Sequence, residues 1–204
     1  MPTTSQAADW DTGEPQLKLS VRCTSSDCAN DLHCFKLTRR MACEGAPRGT
    51  CRDCQQHLIE LDRTRQRIVA DRAYLLESLR RELIRHHFWH LSFDRRAMDH
   101  AARKGRRNLY AAAERRLRTS VGRATPFRDG TQTPMCENTI YYAQHATASC
   151  CRTCIEYWHG IPKGVALDDA EIAYLVNLVI GYLDERLPAL AEDPVRVPSR
   201  RTTR

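Results

Sequence analysis

The sequence predicts a mainly α-helical fold, a small helical domain preceded by a cysteine-rich module. Three observations carry that prediction. Apolar residues recur at three- to four-residue intervals over long stretches after His57, strand-like alternation is confined to two short stretches, and the ten cysteines are clustered along the chain. At 204 residues the chain can bury one core, or one core plus a small module that needs further support.

Residues 1–16 are polar, lack periodicity and carry Gly13 and Pro15, so a disordered lead is expected there. Gln16 to Cys23, QLKLSVRC, alternates apolar and polar residues as a short half-buried strand does, and delivers Cys23 at its end. Residues 17–56 form the cysteine-rich module. Its second half, MACEGAPRGTCRDC, is loop-like and ends in Cys51-x-x-Cys54, a spacing that lets two thiolates grip one ion from a tight turn. The partner pair has to come from Cys23, Cys28, His33, Cys34 or Cys43; Cys23 with Cys28, or Cys28 with Cys34, would complete a zinc-ribbon-like site. A segment this short and loop-rich has little apolar matter to fold on, which favours a structural Zn²⁺ over scattered free thiols.

The helical domain is expected over 57–188. Leu58, Leu61, Ile68, Leu75, Leu76, Leu79, Leu83 and Phe88 repeat with helical spacing, and Asp71 is a candidate N-cap for a helix over Asp71–Trp89. That helix would place Glu82, His86 and His90 along one stripe, making His86 and His90 candidates for an additional ligand or a proton shuttle. Asp94 caps a helix running to Lys104, Gly105 interrupts it, and a second helix covers Asn108–Val121. TIYYAQ, Thr139 to Gln144, has the aromatic and β-branched character of a short strand. Asp168 with Glu171 forms a capping box for an amphipathic helix that Pro188 ends. Residues 189–204 are expected to be a disordered basic tail.

Between Asp129 and Gly164 the chain packs Cys150, Cys151 and Cys154 between His145 and His159. A helix starting near Ser149 puts Cys150 and Cys154 on one face, and Cys151-x-x-Cys154 brings a second pair of thiols together. Two readings follow: a zinc ion on Cys151 and Cys154 completed by His145, Cys150, His159 or a histidine of HHFWH, or a metal-free thiolate activated at a helix N-terminus. Three cysteines exceed what one nucleophile needs, so the metal is preferred. The same stretch resembles a domain-of-unknown-function family of small bacterial, archaeal and phage proteins. Its members carry a DGKQTP loop, then AQHATATCCR-x-CL-x-x-WHGIPKG and a helix beginning L-T-x-x-E. The matching residues are Asp129, Gly130, Gln132, Thr133, Pro134, Ala143 to Thr147, Cys150, Cys151, Arg152, Cys154 and Trp158 to Gly164. The resemblance implies that the block from Phe93 to Leu187 is a unit and that the N-terminal module is an addition. Where the family shows Gly-His-Pro, this chain has Glu137, Asn138 and Thr139, so a histidine there is not an essential ligand.

No apolar run approaches the roughly 18 residues of a membrane span, and MPTTSQAADWDTGE lacks the layout of a signal peptide, which places the protein in the cytoplasm and favours metal over disulfides. The net charge of +7 is concentrated: residues 92–128 hold eleven Lys/Arg against Asp94, Asp99 and Glu114. Arg103, Lys104, Arg106, Arg107, Arg115 and Arg116 therefore make a candidate nucleic-acid face. The glycine-bracketed IPK turn also faintly resembles a helix–hairpin–helix phosphate contact. The expected protein is thus a zinc-binding intracellular protein holding one or two Zn²⁺, associated with nucleic acid or a protein partner. The competing expectation is a metal- or thiol-dependent hydrolase using the 145–159 cluster. The ligand candidates are Cys23, Cys28, Cys34, Cys51, Cys54, His145, Cys150, Cys151, Cys154 and His159.

Overall fold

The computed structural model describes residues 21–197. The lead, most of the Gln16–Cys23 stretch and the chain beyond residue 197 lie outside the described residues. The fold is mainly helical: α1 (Arg39–Cys43), α2 (Leu61–Thr64), α3 (Arg72–Arg80), α4 (Leu83–His90), α5 (Arg95–Ser120), α6 (Thr139–Ala146), α7 (Arg152–His159) and α8 (Asp169–Arg186). Extended pairing among the described residues is limited to isolated bridges, Asp27 with Leu32, His33 with Glu82 and Thr50 with His57.

The main core lies where α4, α5, α6 and α8 pack together. α8 is set by its first turn. The Asp168 carboxylate accepts from the Glu171 amide and the Glu171 side chain accepts from the Asp168 amide, as the capping box predicts. Ile172, Leu175, Val176, Val179, Tyr182 and Leu183 then enter the core. The far end of α8 closes another helix: Tyr182 and Arg186 donate to the carbonyl of Phe88, and Arg186 also reaches those of Trp89 and Leu91, which α4 leaves unpaired at its C-terminus.

α5 starts at the Asp94 cap, whose carboxylate accepts from the Ala97 amide. It breaks at Gly105, which has φ 65° and ψ 162°. Residues 191–195 account for that break. Their carbonyls at Ala191 and Glu192 accept from the amides of Arg106 and Arg107, and the Val195 amide donates back to Ala102. A Cβ on Gly105 would stand 2.5 Å from the Asp193 carbonyl carbon. The described part of the segment expected to be a disordered tail is therefore hydrogen-bonded to α5. Gly105→Ala should cost roughly 2 kcal/mol or more, read by chemical denaturation, because it adds a left-handed backbone penalty to a collision with backbone atoms.

Two expected elements take other forms. The helix over Asp71–Trp89 is two helices, broken where Glu82 is extended. His33 makes the break: its amide donates to Arg81 and its carbonyl accepts from Leu83, so a segment fifty residues away inserts between α3 and α4. Asp71 does not cap α3 through its side chain and pairs with Arg63 instead. TIYYAQ is helix α6 and not a strand. Asn138 caps it by accepting from Ile140, and Thr139, Ile140 and Tyr142 to Ala146 are all buried. A segment enclosed on every side obeys its neighbours more than its propensity.

A second apolar cluster joins the N-terminal residues to the helices. Phe35, Ile59 and Leu61 pack with Leu75, Leu79, Ala148, Trp158 and Leu178. Phe35 meets the Trp158 ring edge-on at 6.0 Å, the Tyr157 hydroxyl donates to the Phe35 carbonyl, and Thr64 donates to the Trp158 carbonyl.

Candidate metal centres

All ten cysteines are free thiols, and two Cys/His groups are arranged so that each can hold a metal ion. The first is Cys28, His33, Cys51 and Cys54, whose ligand atoms all lie within 4.8 Å of one another. Cys51 and Cys54 come from a tight turn in which the Gln55 amide donates to Cys51 and Gln55 takes φ 61°. Backbone amides of Asp53, Cys34 and Cys54 overcome the opposing effect of burial and hold the Cys51 thiol down at about 6, poised to be a thiolate. Cys28 lies 3.7 Å from Cys51, sulfur to sulfur, and His33 Nδ1 lies 3.6 Å from the Cys54 sulfur. His33 Nε2 sits 2.9 Å from the Asp31 carboxylate, which also accepts from Arg81. That bond puts the ring proton on Nε2 and leaves the Nδ1 lone pair for a metal, the carboxylate–histidine arrangement that orients metal ligands.

The second group is Cys150, Cys151 and Cys154. α7 begins at Arg152, slightly later than the expected start near Ser149, with Cys151 as its N-cap. Thr133 fixes the preceding turn by donating to the Cys150 carbonyl. Beneath the sulfurs lies Arg85, 1 % exposed, on the inward face of α4. Its Nε donates to Glu82 at 2.9 Å, and its terminal nitrogens donate to the His145 carbonyl at 2.7 Å, to the Cys150 sulfur at 3.7 Å and to the Cys154 sulfur at 3.1 Å. Glu82 also accepts from the Trp158 indole. Burial pushes the Glu82 carboxyl above the usual carboxylate range, against the pull of Arg85. The thiols of Cys150, Cys151 and Cys23 hydrogen-bond the Cys154 sulfur and, with Arg85, hold it well below the usual thiol range.

The ligand candidates are therefore distributed differently from the sequence-based expectation. Cys23 lies outside both groups, its thiol hydrogen-bonding the Cys154 sulfur, while His33 takes a place beside Cys28. Cys34 is buried with its sulfur 3.5 Å from the Cys23 carbonyl, a packing position. His159 donates from Nε2 to Thr147 and accepts at Nδ1 from the Tyr174 hydroxyl, so both nitrogens are occupied. His145 directs Nε2 to the carbonyls of Thr133 and Pro134 and stacks on Phe88 at 4.6 Å. Burial, aided by the Arg85 charge and opposed by the carbonyl hydrogen bonds, pushes both imidazoles down to about 4. His86 and His90 stack on each other at 4.0 Å, and Glu82 turns inward to Arg85 in place of sharing their stripe. Residue 82 precedes the first turn of α4, so the expected single-helix geometry does not apply.

The basic block is partly consumed inside the fold. Arg106 pairs with Asp184 and Glu192, Arg107 with Asp193, and Arg116 bonds the Gln132 carbonyl and Gln144 while lying over Tyr141. Arg103, Arg107 and Arg115 are exposed, the Arg107–Asp193 pair lying at the surface, and Lys104 is half-buried. In the IPK turn, Lys163 reaches Thr153 and Asp129, and buried Arg152 ties the turn down through the carbonyls of Val121, Pro162 and Val165.

Cys23, Cys151 and Cys154 face a cavity of about 600 Å³, lined also by Lys36, Arg48, Arg65 and Tyr157. Arg85 and Glu82 had one signal in the sequence, a charged pair set among Leu83, Ile84 and Phe88, where a solvated side chain has no place. The fold and these groups define a mainly helical protein with Cys/His arrangements compatible with metal binding and, among the described residues, no helix long and apolar enough to cross a membrane. The chain belongs to the family described as Domain of unknown function (DUF4186), whose profile matches residues 73–184. The match takes in Glu82, Arg85 and the three clustered cysteines, and it starts after both the Cys28 group and Cys23. No solved structure matches the chain.

Proposed function

We propose that this protein binds zinc at both groups, with Cys28, His33, Cys51 and Cys54 forming a structural site and the Cys150, Cys151 and Cys154 cluster holding a second ion at the cavity floor. The spacing of the first group carries the reading. Tetrahedral zinc with bonds of about 2.3 Å to sulfur and about 2.0–2.1 Å to nitrogen separates two thiolates by roughly 3.8 Å and a thiolate from an imidazole by roughly 3.6 Å. The Cys28–Cys51 and His33–Cys54 separations of 3.7 and 3.6 Å meet those values. Mixed thiolate and imidazole ligands select zinc over the oxygen-seeking cations. At the second group, the Arg85 guanidinium aims N–H bonds at the Cys150 and Cys154 sulfurs, an arrangement that favours thiolates, the form a metal takes up.

Ten free thiols fit a reducing compartment, and we place the protein in the cytoplasm. A nucleic-acid partner would have to be met chiefly through Arg103, Lys104, Arg107 and Arg115, since Arg106 and Arg116 are engaged within the chain. Elemental analysis of the purified full chain should find close to two zinc ions per molecule. A metal-free protein with an intact fold by circular dichroism and thermal unfolding would sink the proposal.

A further inference from the structure

The geometry points to Cys23 as the fourth ligand of the Cys150, Cys151 and Cys154 centre, making it a closed four-thiolate site that fastens the chain before residue 73 to the family segment. This inference rests on the zinc reading above and goes beyond it, because that reading requires only three ligands from the family segment.

Cys23 lines the same cavity as Cys151 and Cys154, and its thiol hydrogen-bonds the Cys154 sulfur. It lies outside the set of three sulfurs that are all within 4.8 Å of one another, so it would close on the ion by a movement of its side chain. Val21 and Cys23 pack against the main core, and the Cys34 thiol holds the Cys23 carbonyl. Among the alternatives for a fourth position, His159 has both nitrogens hydrogen-bonded, Cys34 is a packing residue, and Glu82 is held by Arg85 and Trp158. His145 turns Nε2 to two carbonyls and stacks on Phe88; its Nδ1 has no partner among the described residues, but the ring does not line the cavity that Cys23 shares with Cys151 and Cys154. Four thiolates around a dication carry a net charge of about −2. Arg85 is placed to offset part of it, with N–H bonds to two of the four sulfurs and almost no exposure to water.

Such a site has no open position for water or substrate, so its ion supplies cross-linking rather than Lewis acidity. The link spans 127 positions, from Cys23 to Cys150, and would act as a removable cross-link between the N-terminal residues and α7. The cavity gives the ion a route to solvent, and cation loss and chelator access along it run past Lys36, Arg48 and Arg65.

Residue-resolved alkylation of the intact zinc-loaded chain with iodoacetamide, before and after chelation, tests the assignment. Cys43 and Cys136 are exposed and outside both groups, so they should label at the same rate in each state. Cys23 should be protected at least tenfold with zinc present and lose protection in step with Cys150, Cys151 and Cys154 as zinc leaves. A Cys23→Ser chain, kept if its circular dichroism matches the parent, should release its second zinc to chelator at least tenfold faster while the first stays. If Cys23 labels equally fast in both states while the other three are protected, the centre has three protein ligands and the inference falls, with the zinc reading intact. If no cysteine gains protection from zinc, the zinc reading itself fails.

Discussion

Replacing Arg85 by methionine should destabilise the zinc-loaded protein by roughly 3–5 kcal/mol, the range for removing one partner of a buried ion pair, and should also loosen the second metal. Arg85 is 1 % and Glu82 3 % exposed, so neither charge has water to fall back on. Removing the guanidinium strips the Glu82 carboxylate of its cation and leaves the Cys150 and Cys154 sulfurs without their donors. Arg85→Lys should recover little, since an ammonium cannot meet Glu82, the His145 carbonyl and two sulfurs in one plane. Arg85→Met combined with Glu82→Gln should recover part of the loss, because no unpaired charge then remains buried. Urea denaturation with zinc in excess measures all three. A methionine variant as stable as the parent would show that the pair makes no net contribution.

Cys51→Ser should abolish one zinc equivalent and unfold the first site's surroundings, since metal binding in small sites of this type supplies on the order of 10 kcal/mol of folding free energy. Amide exchange of Cys51, Arg52 and Leu58, whose hydrogen bonds belong to this region, should rise steeply, while Leu175 to Leu183 in α8 should change least. A weaker version is Asp31→Ala. It leaves every ligand in place but frees His33 to take the wrong tautomer or turn, and should cost about 10–100-fold in zinc affinity at that site. Competition with a chromophoric chelator reads the difference. An unchanged affinity would remove the role given to Asp31.

The parts of the fold that were legible in the chain were those encoded within a few residues. The capping box at Asp168 and Glu171, the Asp94 cap, the break at Gly105 and the proximity of Cys51 to Cys54 and of Cys150 to Cys154 are all local statements, and the structure contains each. What the chain hid is carried by contacts distant in sequence. α3 and α4 look like one helix until His33 pairs with Glu82, and TIYYAQ looks like a strand until helices surround it. Cys23 and Cys28 look like natural partners at five residues' separation, yet only Cys28 belongs to the first group, while Cys23 lies toward Cys154. Spacing identifies which thiols can share an ion, but not which ones the fold brings face to face.

The Phe35–Trp158 contact bears on how the molecule is made. The cluster that buries Phe35, Ile59 and Leu61 is completed by residues as late as Trp158 and Leu178. On the ribosome, therefore, all four residues of the Cys28 group have emerged once Cys54 has, while the apolar side chains beside them wait for more than a hundred further residues. A nascent chain halted before α7 would carry the residues of the Cys28 group beside an uncovered hydrophobic flank until the last helices arrive.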